Sequence, residues 1–576
     1  MVNGQSVDLS PEAVISLDEE SPVFERDSIP GGFSLPFSLP TTPRNRQILR
    51  FPDKVTRSGD TPSEFPFQLT SRGHLVDEGT LIVTETGQEY RCHLTISGGD
   101  FASRVGDKTL RSLRLGGERT FILKPEYCYP DDDFTLFPVY NPSFMEDTRF
   151  HSSWSGNKWR LNSYEDGAFY SSELATFAIS PFPFLAYVLR CLFEEHGFRL
   201  TDSVFHSDAE LRSLVLYTTR DIIQPKPVTT YHEIRYQSFN GMITRLVPVT
   251  NYQRVLDKFS LSDCMPDITI REFLISLRNM FNVAFVVNGT SVSIIRRKDL
   301  LQANPAKDIT FMATQDPQVI SVAHSKGAKL EWCHDNSDLN FSEGFNSIDD
   351  KLELIGDPVP TMDALFALDP RMNEIRLMES YDIYFQYAER DNPETGEPEY
   401  IWQQFSNSLQ NLVLGNGEEV FSGKISTLLM IKLTRITGEP EIRVPWAEQK
   451  SNSVFRAQAE PFTARLLFYR GMQEDSQGGT YPLGSSDNFD FYGNPIPGAN
   501  LSLRWQGESG LYKQLWESYL FWWNSRRQIN YTILKPDQLR FDRVYMIQGV
   551  RVVLKKRTIR YTLKGFEPSP CEFYTI

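Results

Sequence analysis

The sequence predicts a strand-rich α+β chain of several domains, and three observations carry that prediction. Short apolar–polar alternations bounded by Gly, Asn and Pro recur along most of the chain, the period-2 pattern of half-buried strands. Helical periodicity is confined to a few segments, around residues 184–195, 269–281 and 510–524. The length of 576 residues exceeds what one core supports, because domains run to about 100–200 residues. With 40% hydrophobic and 13% aromatic residues, there is material for several cores and little case for global disorder.

Residues 1–45 form the first division, an extended arm. Asp8, Glu12, Asp18, Glu19, Glu20, Glu25 and Asp27 make it acidic, and Pro36, Pro40 and Pro43 favour extended backbone. Phe33, Leu35, Phe37 and Leu39 alternate as on a strand with one buried face. They are expected to lie along a neighbouring subunit or domain; composition alone equally suits a disordered tail. Residues 46–175 form a β-rich domain, with two strands over 81–96 around a turn at Thr86 and Gly87. The aromatic, Pro- and Asp-rich stretch 124–175 supplies loops and short strands.

Residues 176–305 hold two small α/β units. An amphipathic helix over 184–195 stops at Gly197, a natural C-terminal cap. Thr269 and Glu272 form a capping box that opens a helix through Phe281, with Phe273, Leu274, Leu277 and Phe281 on its inner face. A hairpin over 284–295 follows, turning at Asn288 and Gly289. Residues 306–446 form a second β-rich domain with a polar loop at 392–399. Residues 447–576 close the chain with an aromatic helix and a basic hairpin that starts at Val550.

The aromatic helix is the most informative element. At ~100° per residue, Leu511, Leu515, Tyr519 and Trp522 form one stripe, and Tyr512, Trp516, Leu520 and Trp523 form the stripe beside it. Only Phe521 falls among the polar residues. The apolar arc spans roughly 180°, wider than the ~100° that seats a helix on one core. Two packing surfaces are expected, with Trp516, Tyr519, Trp522 and Trp523 serving both core and subunit interface; the alternative is that the helix is simply the core of its own domain. In the basic hairpin, Arg551, Lys555, Lys556, Arg557, Arg560 and Lys564 read as a solvated edge that discourages stray pairing. The alternative is that they meet acid elsewhere, for instance the N-terminal arm of a neighbour.

Catalytic chemistry is not legible. There is no GxxxxGK[ST] loop, no GxSxG and no HExxH. Ser509, before the aromatic helix, reads as an N-cap, and His232-Glu233 lacks a second histidine at helical spacing. Glu331, Cys333, His334, Asp335 and Asp338 have metal-ligand chemistry without a metal-site spacing, and Asp131, Asp132 and Asp133 suit a solvated loop. No catalytic, cofactor or metal residue is assigned. The net charge of −15 argues against a protein built to grip nucleic acid. Six scattered cysteines without a CxxC pair suit reduced thiols in a protein made in the cytoplasm. No signal peptide and no apolar run long enough for a membrane anchor is visible.

The arm ending at residues 34–45 and the helix-plus-Gly-Phe unit at 183–198 resemble tail structural proteins of phages and prophages of Bacteroides-type bacteria. The unit at 267–274 is similar too, as are the closing stretches ProLeuGlySerSer, GlyAlaAsnLeuSerLeuArgTrp, GlyLeuTyrLysGlnLeuTrp and ProSerProCysGluPhe. The resemblance implies a baseplate or tail-tip hub that combines β-barrel domains with small α/β units. It implies a homotrimer joining the tail tube to the tip, with DNA and tape-measure protein passing through and other tail and baseplate proteins as partners. Such a protein would be assembled in the host cytoplasm, reside in the virion tail and need no cofactor. An acidic lumen would resist sticking to phosphate. A six-fold distal-tail ring is one alternative. A receptor- or glycan-binding protein using Trp154, Trp159, Trp522 and Trp523 is another.

Overall fold

The computed structural model describes residues 1–25, 27, 32–53, 64–71, 74–96, 98–141, 160–165, 167–169, 178–238, 241–256, 258–314, 317–320, 327–333, 338, 340, 349–360, 362–378, 383–391, 397–407, 409, 411–433, 440–448, 463–563 and 565–576. Trp154, Trp159, His334, Asp335 and Lys564, singled out above, lie outside them.

Six strands build the N-terminal part: β1 (Val14–Glu20), β2 (Gly32–Ser34), β3 (Phe37–Pro40), β4 (Glu64–Ser71), β5 (His74–Thr86) and β6 (Glu89–Ile96). Strands β4, β5 and β6 form an antiparallel meander, with Phe65, Phe67, Leu81, Tyr90, Cys92 and Leu94 buried on one face. The strand pair expected over 81–96 is present.

The middle of the chain follows the helix-and-hairpin reading closely. Helix α1 (Leu185–Glu195) ends where Gly197 takes φ +81. Gly197 N donates to Glu194 O at 3.0 Å and Phe198 N to Phe193 O at 2.9 Å, the paired bonds of a Schellman cap. Strand β7 (Arg199–Ser203) follows, then a long antiparallel ribbon of β8 (Ile223–Ser238) and β9 (Gly241–Leu256). Helix α2 (Ile270–Phe281) opens on the Thr269–Glu272 capping box and buries Phe273, Leu274, Leu277 and Phe281 completely. Strands β10 (Val283–Asn288) and β11 (Ser291–Arg296) form the expected hairpin, with its loop at Gly289 and Thr290, one residue later than read. Gly289, at φ +57, holds the first turn position. Because β7 pairs in parallel with β11, the two α/β units share one three-stranded sheet.

Helix α3 (Arg297–Gln302) leaves that sheet, and a series of small sheets follows, of which β12 (Glu419–Phe421) bears on the site. The closing segment contains helix α4 (Glu517–Ser525) and strands β13 (Gln528–Ile533), β14 (Val550–Thr562) and β15 (Ser569–Thr575). Their sheet is the same one that holds the N-terminal strands. Its order is Gln318–Ile320, β13, β15, β14, β1, β2, β6, β5, β4, with β3 also on β6. The two ends of the chain therefore meet in a thirteen-stranded sheet. Among the described residues the protein is strand-rich α+β with many separate sheets, as its alternations predict.

Candidate assembly site

The aromatic helix sits where the closing segment meets the α/β unit. It starts at Leu511, passes through a π-helical turn over Tyr512–Trp516 and continues as α4. The extra residue of that turn breaks the uniform 100° step on which the helical wheel depends. Gly510 is required before it, since a Cβ there would lie 2.2 Å from Gln506 O. Ser509 does not cap the helix: its hydroxyl donates to Asn488 Oδ1 at 3.2 Å.

Each indole N–H is spent inside the chain. Trp516 is fully buried and donates to Met280 O at 3.2 Å, at the end of α2. Trp522 donates to Thr575 O at 2.8 Å, at the end of β15. Trp523 donates to the Glu419 carboxylate in β12, at 3.0 and 3.2 Å. In return Asn282 Nδ2 and Lys298 Nζ donate to Leu515 O and Gln514 O, carbonyls that the π turn leaves accessible. One helix thus ties together α2, α3, β12 and β15.

The acidic arm completes this seat. Phe24 packs 5.7 Å from Trp522, 6.3 Å from Trp523 and 5.1 Å from Tyr574, centroid to centroid, and Arg526 lies over Trp523 and Tyr574. Fully buried Arg297 donates to Glu25 O and lies 5.4 Å from the Tyr519 ring centre. Burial pushes the Arg278 guanidinium down to about 9, and the like charge of Arg297 adds to the effect.

A second seam runs along β1 and β14. The register pairs Ile15 with Tyr561, Leu17 with Ile559 and Glu19 with Arg557, and these six residues are buried or, for Arg557, largely so. Arg557 ion-pairs with Glu19, Lys556 with Glu20 at 3.2 Å, and the Thr558 hydroxyl donates to Asp18 at 2.7 Å. Burial opposes the Arg557 charge, but Glu19 outweighs it and raises the pKa above its ordinary value. Lys555 ion-pairs with Glu572 at 2.8 Å, and Arg551 donates to Leu301 O and Ala303 O. The basic segment is therefore one long strand that does meet the acidic arm, but the arm of its own chain.

The predicted interface residues separate accordingly. Trp516, Tyr519 and Trp522 are 0%, 2% and 9% exposed, so their surface is consumed within the chain, and Trp523 is half-buried. Neither Trp522 nor Trp523 offers an open ring for a sugar. Phe521, the residue that broke the wheel, is 78% exposed. In the arm, Leu39 is buried and Phe37 half-buried, both lining an apolar cavity of about 180 Å³. Leu35, at the break between β2 and β3, faces solvent although its N–H still donates to Ser16 O at 2.9 Å. The backbone of Phe33 pairs with Asp18 and Thr95. The side chain of Phe33 lies outside the described residues, and Leu35, Phe37 and Leu39 do not share the single buried face expected.

The metal-like cluster is also divided. Asp338 is fully buried and ion-pairs with Arg465, while Glu331 pairs with Lys329; among the described residues no three potential ligands converge. Asp132 and Asp133 pair with Lys124 and Arg119. Sequence reasoning missed the Asp487 network. Its carboxylate receives Arg443 at 2.7 and 2.5 Å, Arg504 at 3.0 Å and the Ser485 hydroxyl at 2.9 Å. The run SerSerAspAsn at 485–488 marks a turn in the sequence, but its arginine partners are too distant to read. No helix among the described residues is long and apolar enough to cross a membrane. No family model matches the chain, and no curated protein matches it.

Proposed function

We propose that this chain is a non-catalytic structural protein of a phage tail: the central baseplate or tail-tip hub that joins the tube to the tip. The observation that supports this reading is the closure of the two chain ends on each other. An acidic first strand is held between a basic late strand and the N-terminal meander, and Phe24 is held against the aromatic helix. A part that transmits force between a tube and a tip needs its ends tied into one body. Three copies would surround a passage for DNA and the tape-measure protein, with the thirteen-stranded sheet contributing the barrel-like wall. The net charge of −15 suits a wall that phosphate passes without sticking.

The test is an image of isolated tails with this chain located by labelling. Three copies at the junction of tube and tip is the expected result, and six copies in a ring would favour a distal-tail position. Absence from the tail, or cell-wall hydrolysis by the purified protein that a single carboxylate substitution abolishes, would overturn the proposal.

A further inference from the structure

Among the described residues, the ribbon β8–β9 places no side chain in a buried core. Its register runs unbroken from Ile223 opposite Leu256 to Ser238 opposite Gly241. Each strand has 16 residues, which at about 3.3 Å per residue gives a length of about 50 Å. Among the described residues neither strand pairs with any other. The root is fixed, since Ile222 and Phe259 are buried in the main core. Further out, Tyr231 is 67% and Leu246 59% exposed. A two-stranded ribbon standing alone is marginal in water, so this one is built to rest on something.

Charge points to the occupant. The ribbon carries Lys226, Arg235, Arg245 and Arg254 against Glu233 alone, a balance of +3 with His neutral. The whole chain is −15, so everything outside the ribbon is −18. A second copy therefore presents the opposite sign. Nucleic acid is the other class that a basic ribbon fits, but a polyanion approaching it also meets the acidic body.

The prolines say how the ribbon docks. Pro225, Pro227 and Pro248 stand opposite Arg254, Tyr252 and Tyr231. All three fall in the same alternating set of cross-strand pairs. Proline has no N–H to donate, so this set is the one whose N–H groups point away from the partner strand. Each outer edge thus lacks donors at these positions, which hinders addition of a third strand along the root half of β8 and the middle of β9. The ribbon docks by its faces.

We propose that β8–β9 is an arm that lies on the acidic surface of a second copy of this chain and holds the copies together. This rests on reading the protein as a multi-copy structural component, and adds the element that joins its copies. The test is sedimentation velocity of the full-length protein at low salt and at about 1 M, where screening acts within about 3 Å. The wild type should associate at low salt and dissociate at high salt. The variant K226E/R235E/R245E/R254E should associate at least about tenfold more weakly, a difference of about 1.4 kcal/mol, with an unchanged melting temperature. The variant Y231A/L246A should also weaken association without altering charge, which keeps the test decisive if the charge variant misfolds. A wild type that is monomeric at low salt, or association untouched by Y231A/L246A and by a folded charge variant, would overturn the proposal. DNA binding that the charge variant abolishes while association persists would overturn it in favour of nucleic acid. An arm-independent oligomer located in tails would leave the hub reading standing and remove the arm; an arm-dependent oligomer absent from tails would do the reverse.

Discussion

Replacing Trp516 with alanine decides whether the aromatic helix is core or subunit face. Its ring lies 4.6 Å from Phe421 and 6.0 Å from Tyr519, and no part of it reaches solvent. Truncating a buried aromatic side chain costs about 3–5 kcal/mol, from lost transfer energy and the cavity left behind. The lost indole N–H adds about 1 kcal/mol, because Met280 O is one of the last-turn carbonyls of α2 that lack a helical partner. The sum, about 4–6 kcal/mol, is a large share of the roughly 5–15 kcal/mol that holds a typical protein together. Hydrogen exchange on the full-length chain would read it locally. Amides of α2 and of the segment 511–525 should both open, with protection falling by about a thousandfold or more. Trp516→Phe, which keeps a ring and loses the N–H, should recover most of the protection. Phe521→Ala should stay within about 0.5 kcal/mol of wild type. Wild-type exchange in a Trp516→Ala monomer that has merely lost its ability to associate would refute the core assignment. By the same reasoning, a Trp516/Trp522 double alanine variant loses the fold of the closing segment before it reports on any interface.

Three further outcomes are expected. Asp487→Asn should destabilise the protein by about 3–5 kcal/mol at neutral pH, because the buried Arg443 and Arg504 would lose the Asp487 charge that both ion-pair with. Burial works against the Asp487 carboxylate, but Arg443 outweighs it and holds the pKa below the ordinary 3.8. Its stabilisation is therefore present above about pH 4 and lost as pH falls through the folded value; an acid titration of stability should show a limb that the Asn variant lacks, and identical limbs would refute the linkage. A double-mutant cycle of Glu19→Gln and Arg557→Ala should give a coupling of about 1–3 kcal/mol in urea unfolding, and one below about 0.5 kcal/mol would mean that the pair does not hold the seam. Thr269→Ala should cost about 1 kcal/mol and speed exchange in the first turn of α2, whereas Thr269→Ser should be close to neutral.

What was legible in the sequence is what neighbouring residues decide. The capping box at Thr269 and Glu272, the Gly197 stop and the 284–295 hairpin each depend on residues within a few positions, and all appear in the structure. The aromatic helix was legible as an element but not in its facing. A π turn and four partners from distant segments decide where its indoles go. The acid–base seam was legible as chemistry, since an acidic arm and a basic strand stand at opposite ends of the chain. Its closure within one chain was not, because Glu19 and Arg557 are 538 residues apart and local pattern carries no information about such pairings. The buried Asp487 network was hidden for the same reason: its carboxylate lies in a readable turn, but Arg443 is 44 residues away.

The seam also shows why this acid–base pair closes on itself. Its register alternates: Ile15, Leu17 and Glu19 face inward with Tyr561, Ile559 and Arg557, and Ser16, Asp18 and Glu20 lie opposite Arg560, Thr558 and Lys556 on the other face. A slip of one residue would turn Ile15 and Leu17 to water and break both ion pairs at once, so the register is strongly specified. A neighbour's arm could satisfy the same pattern, but the chain's own arm is tethered beside it and competes at an effective concentration that a free chain does not reach. Phe24 and the Glu25 carbonyl fix that tether on the aromatic helix and Arg297. The apolar stripe and the acid–base pair, the two features of the sequence that point most directly to contacts between copies, are thus consumed in making one body. In the proposed assembly, contact between copies falls to the basic ribbon.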